Sequence, residues 1–122
     1  MPATKTSAKK KQKQCDPNHP HCARILLIDS QQRLLLVREL KHKQWNLPGG
    51  IIDSGEDAWT AAKRELLEET AVDIMQESKP HDHKFDENGG GIAYFVYNID
   101  HSPTVRADDK DEIAEVAYTR LT

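Results

Sequence analysis

Short apolar runs separated by polar stretches predict a small β-sheet. The runs Ala23 to Asp29 and Arg33 to Arg38 flank the polar stretch Ser30-Gln31-Gln32, which is the pattern of a β-hairpin. Lys41 to Gln44 is then a polar loop that leads to a Pro48-Gly49-Gly50 turn. Later in the chain, the same pattern predicts strands over Val72 to Met75, Ile92 to Ile99 and Glu115 to Arg120, with polar loops or an irregular hairpin over Lys79 to Gly91 and His101 to Asp111.

One segment between these strands has a helical pattern. Ala58 to Thr70 contains no glycine or proline and is rich in helix-forming residues. Ala58, Ala62 and Leu66 recur at a spacing of four, which places them on one apolar face. Ser54 or Asp57 could cap the first turn. Strands on both sides of a single helix predict a mixed α/β domain.

A second face of this helix carries three carboxylates. Glu65, Glu68 and Glu69 are spaced i, i+3 and i+4, and like charges at these spacings repel by a few tenths of a kcal/mol. A hard divalent cation explains the cluster, because carboxylate oxygens are the ligands that Mg²⁺ prefers. Arg64 precedes the cluster and could orient one carboxylate by a charge-assisted hydrogen bond.

Length and charge limit the protein classes that fit. The 122 residues suffice for one domain, and their apolar runs are far shorter than the roughly 20 residues that cross a bilayer. Met1 to Gln14 carries five lysines and no acid, so the remainder has 12 basic and 20 acidic residues. We therefore expect a basic, disordered tail and linker over residues 1–22 and a folded domain over 23–122. The tail has no apolar run of the kind found in signal peptides, which favours a cytoplasmic location.

Two cysteines and two histidines lie close together in the predicted linker. Cys15, His19, His21 and Cys22 could in principle hold zinc, but their spacing matches no common zinc framework. A proline-rich linker that ends at the first strand is the favoured interpretation.

The central segment combines Gly50, Glu56 six residues later, then Arg64-Glu65-Leu66 and Glu68-Glu69. This pattern resembles the Nudix box, and the preceding Leu47-Pro48-Gly49 strengthens the match. The box runs from Gly50 to Val72, with Ala71 where the family usually has glycine. If this position has a positive φ, alanine costs about 1–2 kcal/mol.

The resemblance implies a fold and a metal site. The expected fold is an α/β/α sandwich around a mixed sheet, and this chain apparently lacks the C-terminal helix that usually covers the sheet. The metal ligands implied are the Gly50 carbonyl, Glu65, Glu68 and Glu69, with Glu56 supporting the loop and metal network and Arg64 orienting a box glutamate. The ion implied is Mg²⁺ or Mn²⁺.

The resemblance also implies a reaction. We expect hydrolysis of a nucleoside diphosphate linked to another moiety, by attack of a metal-activated water on phosphorus. The general base would be a box glutamate or an acid in the loop before the last strand. That loop offers a choice of carboxylates, of which Glu112 is favoured over Asp108, Asp109, Asp111 and Glu115.

The box leaves the substrate open. The proline that ADP-ribose hydrolases of this family usually carry is missing from the region of Asp86 to Asn88, which favours a modified nucleoside triphosphate. The alternatives are ADP-ribose, a dinucleoside polyphosphate, an RNA 5′ end or a non-catalytic nucleotide sensor. The expected partner is a small nucleotide, with no membrane; contact of the basic tail with nucleic acid is less favoured, and a homodimer stays open.

Overall fold

A computed structural model describes residues 20–86, 88 and 90–121, and these form a mixed sheet with one helix. The predicted tail over Met1 to Gln14, together with Cys15 and His19, lies outside the described residues. The elements in chain order are β1 (Cys22–Ile28), β2 (Arg33–Glu39), β3 (Trp45–Asn46), β4 (Gly49–Ile51), α1 (Ala58–Thr70), β5 (Asp82–Asp86), β6 (Ile92–Asn98) and β7 (Ile113–Arg120).

The sheet has seven strands and one parallel pair. Its main path runs β3-β2-β1-β6-β5, while β4 pairs with β1 and β7 pairs with β2. β1 and β6 are parallel from Cys22 opposite Ile92 to Ile28 opposite Asn98, and the other pairs are antiparallel. The mixed α/β class expected from the sequence is therefore confirmed. The described residues form one helix, so the second helical layer of an α/β/α sandwich is not among them.

The helix begins and ends where local side-chain chemistry predicts. Of the two candidate caps, Asp57 is the one used, since its Oδ1 accepts a hydrogen bond from Thr60 N at 2.8 Å. At the other end Ala71 adopts φ 69° and ψ 12°, and its N–H donates to Leu67 O. The positive φ anticipated for Ala71 is confirmed, and this left-handed residue ends the helix.

The core lies between the helix and the centre of the sheet. Ala61, Ala62 and Leu66 are fully buried against strand residues that include Ile25 and Leu27. The predicted apolar face is confirmed for Ala62 and Leu66, while Ala58 is half-buried at its edge. This packing fixes the helix over β1 and β4, so its glutamate face lies beside the Pro48–Gly50 turn.

The strand predicted over Val72 to Met75 is wrong. Val72 and Ile74 are buried in the core, as an alternating pattern requires, yet the segment joins no sheet. Its backbone is held by side chains instead: Thr70 Oγ1 accepts from Val72 N, and Asp73 Oδ1 accepts from Met75 N. These local bonds replace the ladder of a strand.

Two other boundaries differ from the sequence pattern. Within the predicted loop or irregular hairpin, β5 pairs regularly with β6 from Asp82 opposite Val96 to Asp86 opposite Ile92. The last strand starts at Ile113, two residues before the predicted start. In the residues that the structure describes, no helix is long and apolar enough to span a membrane.

Candidate active site

The backbone of β4 packs closely against both β1 and the helix. A Cβ added to Gly49 would clash with the Ala23 oxygen and the Arg24 Cα of β1, so close approach requires glycine there. A Cβ added to Gly50 would lie 2.6 Å from Glu65 Oε2, the end of a side chain that would have to move away. This packing places the Gly50 backbone directly against the Glu65 carboxylate.

Glu69 is a buried carboxyl group in the same place. The residue is 3% exposed, and Gly49 N donates a hydrogen bond of 3.1 Å to its Oε1. The pKa of Glu69 is raised to about 9, chiefly by burial and also by the charge of Glu65, while the Gly49 amide and Arg24 act in the opposite direction. In the absence of a cation, Glu69 therefore keeps its proton at neutral pH.

Glu65 is perturbed in the same direction. Burial raises the pKa of its carboxyl group, and the charge of Glu68 adds to the effect, while Arg64 and a hydrogen bond from Glu69 oppose it. The Glu65 and Glu69 carboxyls are thus one helical turn apart, in contact, and largely removed from water. Strongly perturbed carboxyl pairs of this kind are typical of functional sites.

Arg64 connects the helix to the loop before it. Its Nε and Nη2 donate to Glu56 at 2.7 and 3.0 Å, a two-point contact that holds the pKa of Glu56 below its usual range. Its Nη1 donates to Glu65 Oε2 at 3.2 Å and to Glu68 Oε1 at 3.1 Å. The fifth contact runs from Nη2 to Ile51 O at 3.1 Å. Arg64 therefore orients two box glutamates and fixes the strand end.

Glu56 has both carboxylate oxygens engaged. Arg64 binds each of them, and Oε1 also accepts from Asp53 N at 2.9 Å. The structure thus places Glu56 as a support of the loop between β4 and α1. The Glu68 side chain, by contrast, is 49% exposed and is not among the residues that line the cleft described below.

The donor set fits a hard divalent cation. Carboxylate oxygens from Glu65, Glu68 and Glu69 and the backbone oxygen of Gly50 are the ligand type that Mg²⁺ and Mn²⁺ take. The carboxyls of the buried Glu69 and the mostly buried Glu65 have raised pKa values and would gain their charge on binding such an ion. In the part of the chain that the structure describes, no three Asp, Glu, His or Cys side chains yet converge with metal-ligand spacing. Instead, Arg64 donates hydrogen bonds to one carboxylate oxygen of Glu65 and to one of Glu68.

A cleft of about 630 Å³ opens over these groups. It is lined by Gly50, Glu65 and Glu69 at one side and by Glu112 and the β2–β3 turn at another. Among the predicted alternatives for the base, Glu112 is the residue that lines this cleft with the box glutamates. Asp108 instead pairs with Arg106 at 2.9 Å, and Glu115 pairs with Arg38 at 2.7 Å.

The loop that carries Glu112 is attached to the site at two places. Leu40 N donates to Glu112 O at 2.9 Å, which joins the loop to the β2–β3 turn. Near its middle, Arg106 N and Asp108 N donate to the carbonyls of Thr70 and Glu69 at the end of α1. Unpaired carbonyls at a helix end are satisfied in this way, and the loop is fixed over the cleft.

Comparison with known proteins identifies the fold family. A model of the NUDIX domain matches residues 18–122. The chain belongs to the NUDIX domain family. The box glutamates, Gly50 and Arg64 that the sequence singles out are therefore those of a NUDIX domain, and α1 is its central helix.

Relatives with known names match this NUDIX domain over less than half of the chain. A 58-residue stretch is 45% identical to the RNA pyrophosphohydrolase of Bradyrhizobium sp. (strain ORS 278), covering 42% of this chain and 34% of that protein. A 55-residue stretch is 40% identical to the putative 8-oxo-dGTP diphosphatase of Bacillus subtilis (strain 168), covering 45% of this chain and 37% of that protein. The chain thus spans about a third of the length of the curated relatives it matches.

Solved structures share the NUDIX fold over most of the chain. A C. elegans Ap4A hydrolase complex superposes with a TM-score of 0.65 and 23% identity, covering 82% of this chain and 80% of that one. A bifunctional NMN adenylyltransferase/ADP ribose pyrophosphatase from Francisella tularensis gives 0.67 and 24%, covering 96% of this chain and 37% of that one. At these identities the likeness establishes the fold.

Two charged residues of this NUDIX domain were missed from the sequence. Arg24 and Glu39 line the cleft, and they face each other at 3.8 Å. Arg24 was counted as part of the apolar run of β1. A charged residue inside such a run is rarely buried without a partner, and this signal indicates a polar neighbour. Lys41 and His42, which the sequence places before the box, also line the cleft.

Proposed function

We propose that this protein is a divalent-metal-dependent pyrophosphohydrolase of nucleotide-linked substrates. The observation that carries the proposal is the carboxyl pair of the buried Glu69 and the mostly buried Glu65, packed against the glycine backbone of β4 in an open cleft. Folding gains nothing from burying two carboxyls side by side. Binding a cation that then holds phosphate groups explains the arrangement.

Each site residue has a distinct role in this proposal. Glu65, Glu68, Glu69 and the Gly50 carbonyl would hold Mg²⁺ or Mn²⁺, which would neutralise phosphate charge and lower the pKa of the attacking water. Arg64 and Glu56 position the glutamates and the loop. Glu112, which lines the same cleft, is the proposed general base that accepts the proton of the water.

The substrate we propose is a nucleoside triphosphate, with an RNA 5′ end as the second candidate. The two relatives described above support one candidate each, since one is named a putative 8-oxo-dGTP diphosphatase and the other an RNA pyrophosphohydrolase. The predicted basic tail over residues 1–22 gives the second candidate a specific test. Deleting Met1 to Gln14 should reduce turnover of RNA and leave free nucleotides unaffected, because lysines bind phosphate backbones without regard to sequence.

The experiment that tests the function is metal-dependent phosphate release from a substrate panel. The panel contains nucleoside triphosphates with normal and oxidised bases, ADP-ribose, dinucleoside polyphosphates and 5′-triphosphorylated RNA, each with and without Mg²⁺ or Mn²⁺. We expect turnover that needs the metal and is lost in Glu69→Gln. Glu115→Gln is the matched control, because it makes the same change outside the cleft.

Two outcomes would contradict the proposal. Turnover that persists in Glu69→Gln would show that the buried pair does not bind the metal. Nucleotide binding with no turnover on any substrate would favour the non-catalytic sensor. The cytoplasmic location and the open question of a homodimer stay predictions from the sequence.

A further inference from the structure

The side chain of Arg24 lies under the turn that carries Gly49 and Gly50. Its Nη1 donates a hydrogen bond of 2.6 Å to Leu47 O, and the side chain is 17% exposed. Arg24 is also the residue directly opposite Gly49 in the β1–β4 pair. A Cβ added to Gly49 would lie 2.7 Å from both Cα and Cγ of Arg24, so the arginine stem forms the surface on which the turn rests.

The same turn determines where the carboxyl pair sits. Gly49 N donates to Glu69 Oε1 at 3.1 Å, and the Gly50 backbone packs against Glu65. A displacement of the turn by a fraction of an ångström would therefore move the amide that binds Glu69 and the carbonyl proposed as a metal ligand. The turn has a second attachment, Ile25 N to Pro48 O at 3.0 Å, which is a backbone bond and does not depend on the Arg24 side chain.

We propose that Arg24 is a positioning residue that holds the Leu47–Gly50 turn in the geometry that the metal site requires. Its guanidinium acts through Leu47 and Gly49 on Glu69, and the ion pair with Glu39 at 3.8 Å keeps it directed at the turn. The inference rests on the proposed function for its metal-binding consequence. The contacts from Arg24 to Glu69 exist independently of that function.

A positioning role and a simple charge effect predict opposite changes in metal affinity when Arg24 is replaced. Arg24 is a cation near carboxyls that would bind a cation, so if only its charge mattered, removing it would tighten metal binding. If Arg24 positions the turn, removing it weakens metal binding, because neighbours that orient metal ligands typically contribute about 10-fold or more to affinity. Arg24→Met keeps most of the stem and removes both the charge and the donors. Arg24→Lys keeps the charge and loses the forked donor geometry.

The test is Mn²⁺ titration calorimetry on the full chain without substrate. We expect Arg24→Met to bind Mn²⁺ about 10-fold more weakly and Arg24→Lys to be intermediate. The matched control is Arg38→Met, which removes an ion-paired arginine outside the cleft and should leave the Kd unchanged. Tighter binding by Arg24→Met, or an unchanged Kd in Arg24→Lys, would overturn the proposal; the lysine variant decides alone if the methionine variant does not fold.

Steady-state kinetics separate positioning from direct substrate contact. A positioning residue lowers kcat with little change in KM, whereas a residue that binds substrate phosphate raises KM. We expect Arg24→Lys to lower kcat with KM maintained. A raised KM at constant kcat would instead make Arg24 a substrate-binding residue and refute the positioning role.

Hydrogen exchange separates failure of this inference from failure of the proposed function. The Gly49 amide should exchange at least about fivefold faster in Arg24→Met than in the unmodified protein without metal, as expected when a supporting hydrogen bond is lost. Arg38→Met should leave it unchanged. If the unmodified protein binds no Mn²⁺, the metal-dependent function fails, and unchanged Gly49 exchange in Arg24→Met would refute the role of Arg24 itself.

Discussion

Replacing Glu69 by glutamine should stabilise the metal-free protein while abolishing its metal-dependent chemistry. The Glu69 residue is 3% exposed, and its pKa is raised from 4.5 to about 9, chiefly by burial. The unfolded chain releases the proton near pH 4.5, whereas the folded protein keeps it until about pH 9. The contribution of Glu69 to the free energy of unfolding is therefore highest below pH 4.5 and decreases as the pH rises toward 9.

The size of the effect follows from the pH interval. At pH 7.5 the pH is about three units above the ordinary pKa of 4.5. At 1.36 kcal/mol per unit, the buried Glu69 then lowers the free energy of unfolding by at most about 4 kcal/mol. Side-chain relaxation and access of water reduce the cost of a buried charge, so we expect about 2 kcal/mol. Glutamine does not titrate, and its oxygen can still accept the hydrogen bond from Gly49 N. Glu69→Gln should thus gain about 2 kcal/mol at pH 7.5 and almost nothing near pH 4.

Urea unfolding between pH 4 and pH 9, with and without Mn²⁺, measures both halves of the prediction. Without metal, the effect of Glu69 ionisation should be absent from the variant, so its stability should decrease less between pH 4 and pH 9 than that of the unmodified protein. With Mn²⁺ at 100 times its Kd, the unmodified protein should gain about 2.7 kcal/mol, and the variant much less. Glu68→Gln, on the same helix but half-exposed, is the stability control and should shift the metal-free stability little.

Two results would refute this reasoning. A lower metal-free stability of Glu69→Gln at pH 7.5 would mean that the buried carboxylate stabilises the fold. An unchanged pH dependence would mean that Glu69 titrates normally in the folded protein.

Three further substitutions test other parts of the site. Ala71→Gly should raise the free energy of unfolding by about 0.5–1 kcal/mol in urea, because relief of the left-handed strain exceeds the entropy cost of glycine. Arg64→Lys should lower kcat about 10- to 100-fold in the phosphate-release assay, because lysine cannot make the two-point contact with Glu56. Glu112→Gln should lower kcat about 100-fold or more at constant KM, because the variant has no carboxylate to accept the proton of the attacking water.

Each of these substitutions has a contradicting result, and Ala71→Gly and Glu112→Gln also have a matched control. Ala58→Gly, in the first turn of the helix, should lose stability, and a loss for Ala71→Gly as well would refute the strain argument. Full activity of Arg64→Lys would show that charge alone suffices at that position. Asp111→Asn is the control for Glu112→Gln, and equal losses in the two would point to loop charge in general.

The helix was predictable because its signals are local. Asp57 and Ala71 end the segment through bonds to residues three or four positions away, so the predicted span of Ala58 to Thr70 is confirmed. The segment over Val72 to Met75 was mispredicted because alternation reports burial and cannot report whether a neighbouring strand exists. Lys63 Nζ and Trp59 Nε1 bind carbonyls of the chain that follows, including Glu77 O, and hold it against the helix instead.

β5 was missed as a regular strand for the opposite reason. Its five residues are mostly exposed and polar, so no apolar alternation marks them. Pairing with β6 supplies the backbone partners that define it. An edge strand of this kind is specified by its neighbour more than by its own composition.

The sequence by itself determined the spacing of Glu65, Glu68 and Glu69, the helix that carries them and the glycine turn before it, because helical geometry and turn chemistry act over a few residues. Only the tertiary structure decided which carboxyls are buried, that the Gly50 backbone meets Glu65, and that Arg24 supports the turn. These contacts join residues that are at least 15 positions apart in the chain. Desolvation and close packing depend on such neighbours, and they set the pKa values on which the proposed chemistry rests.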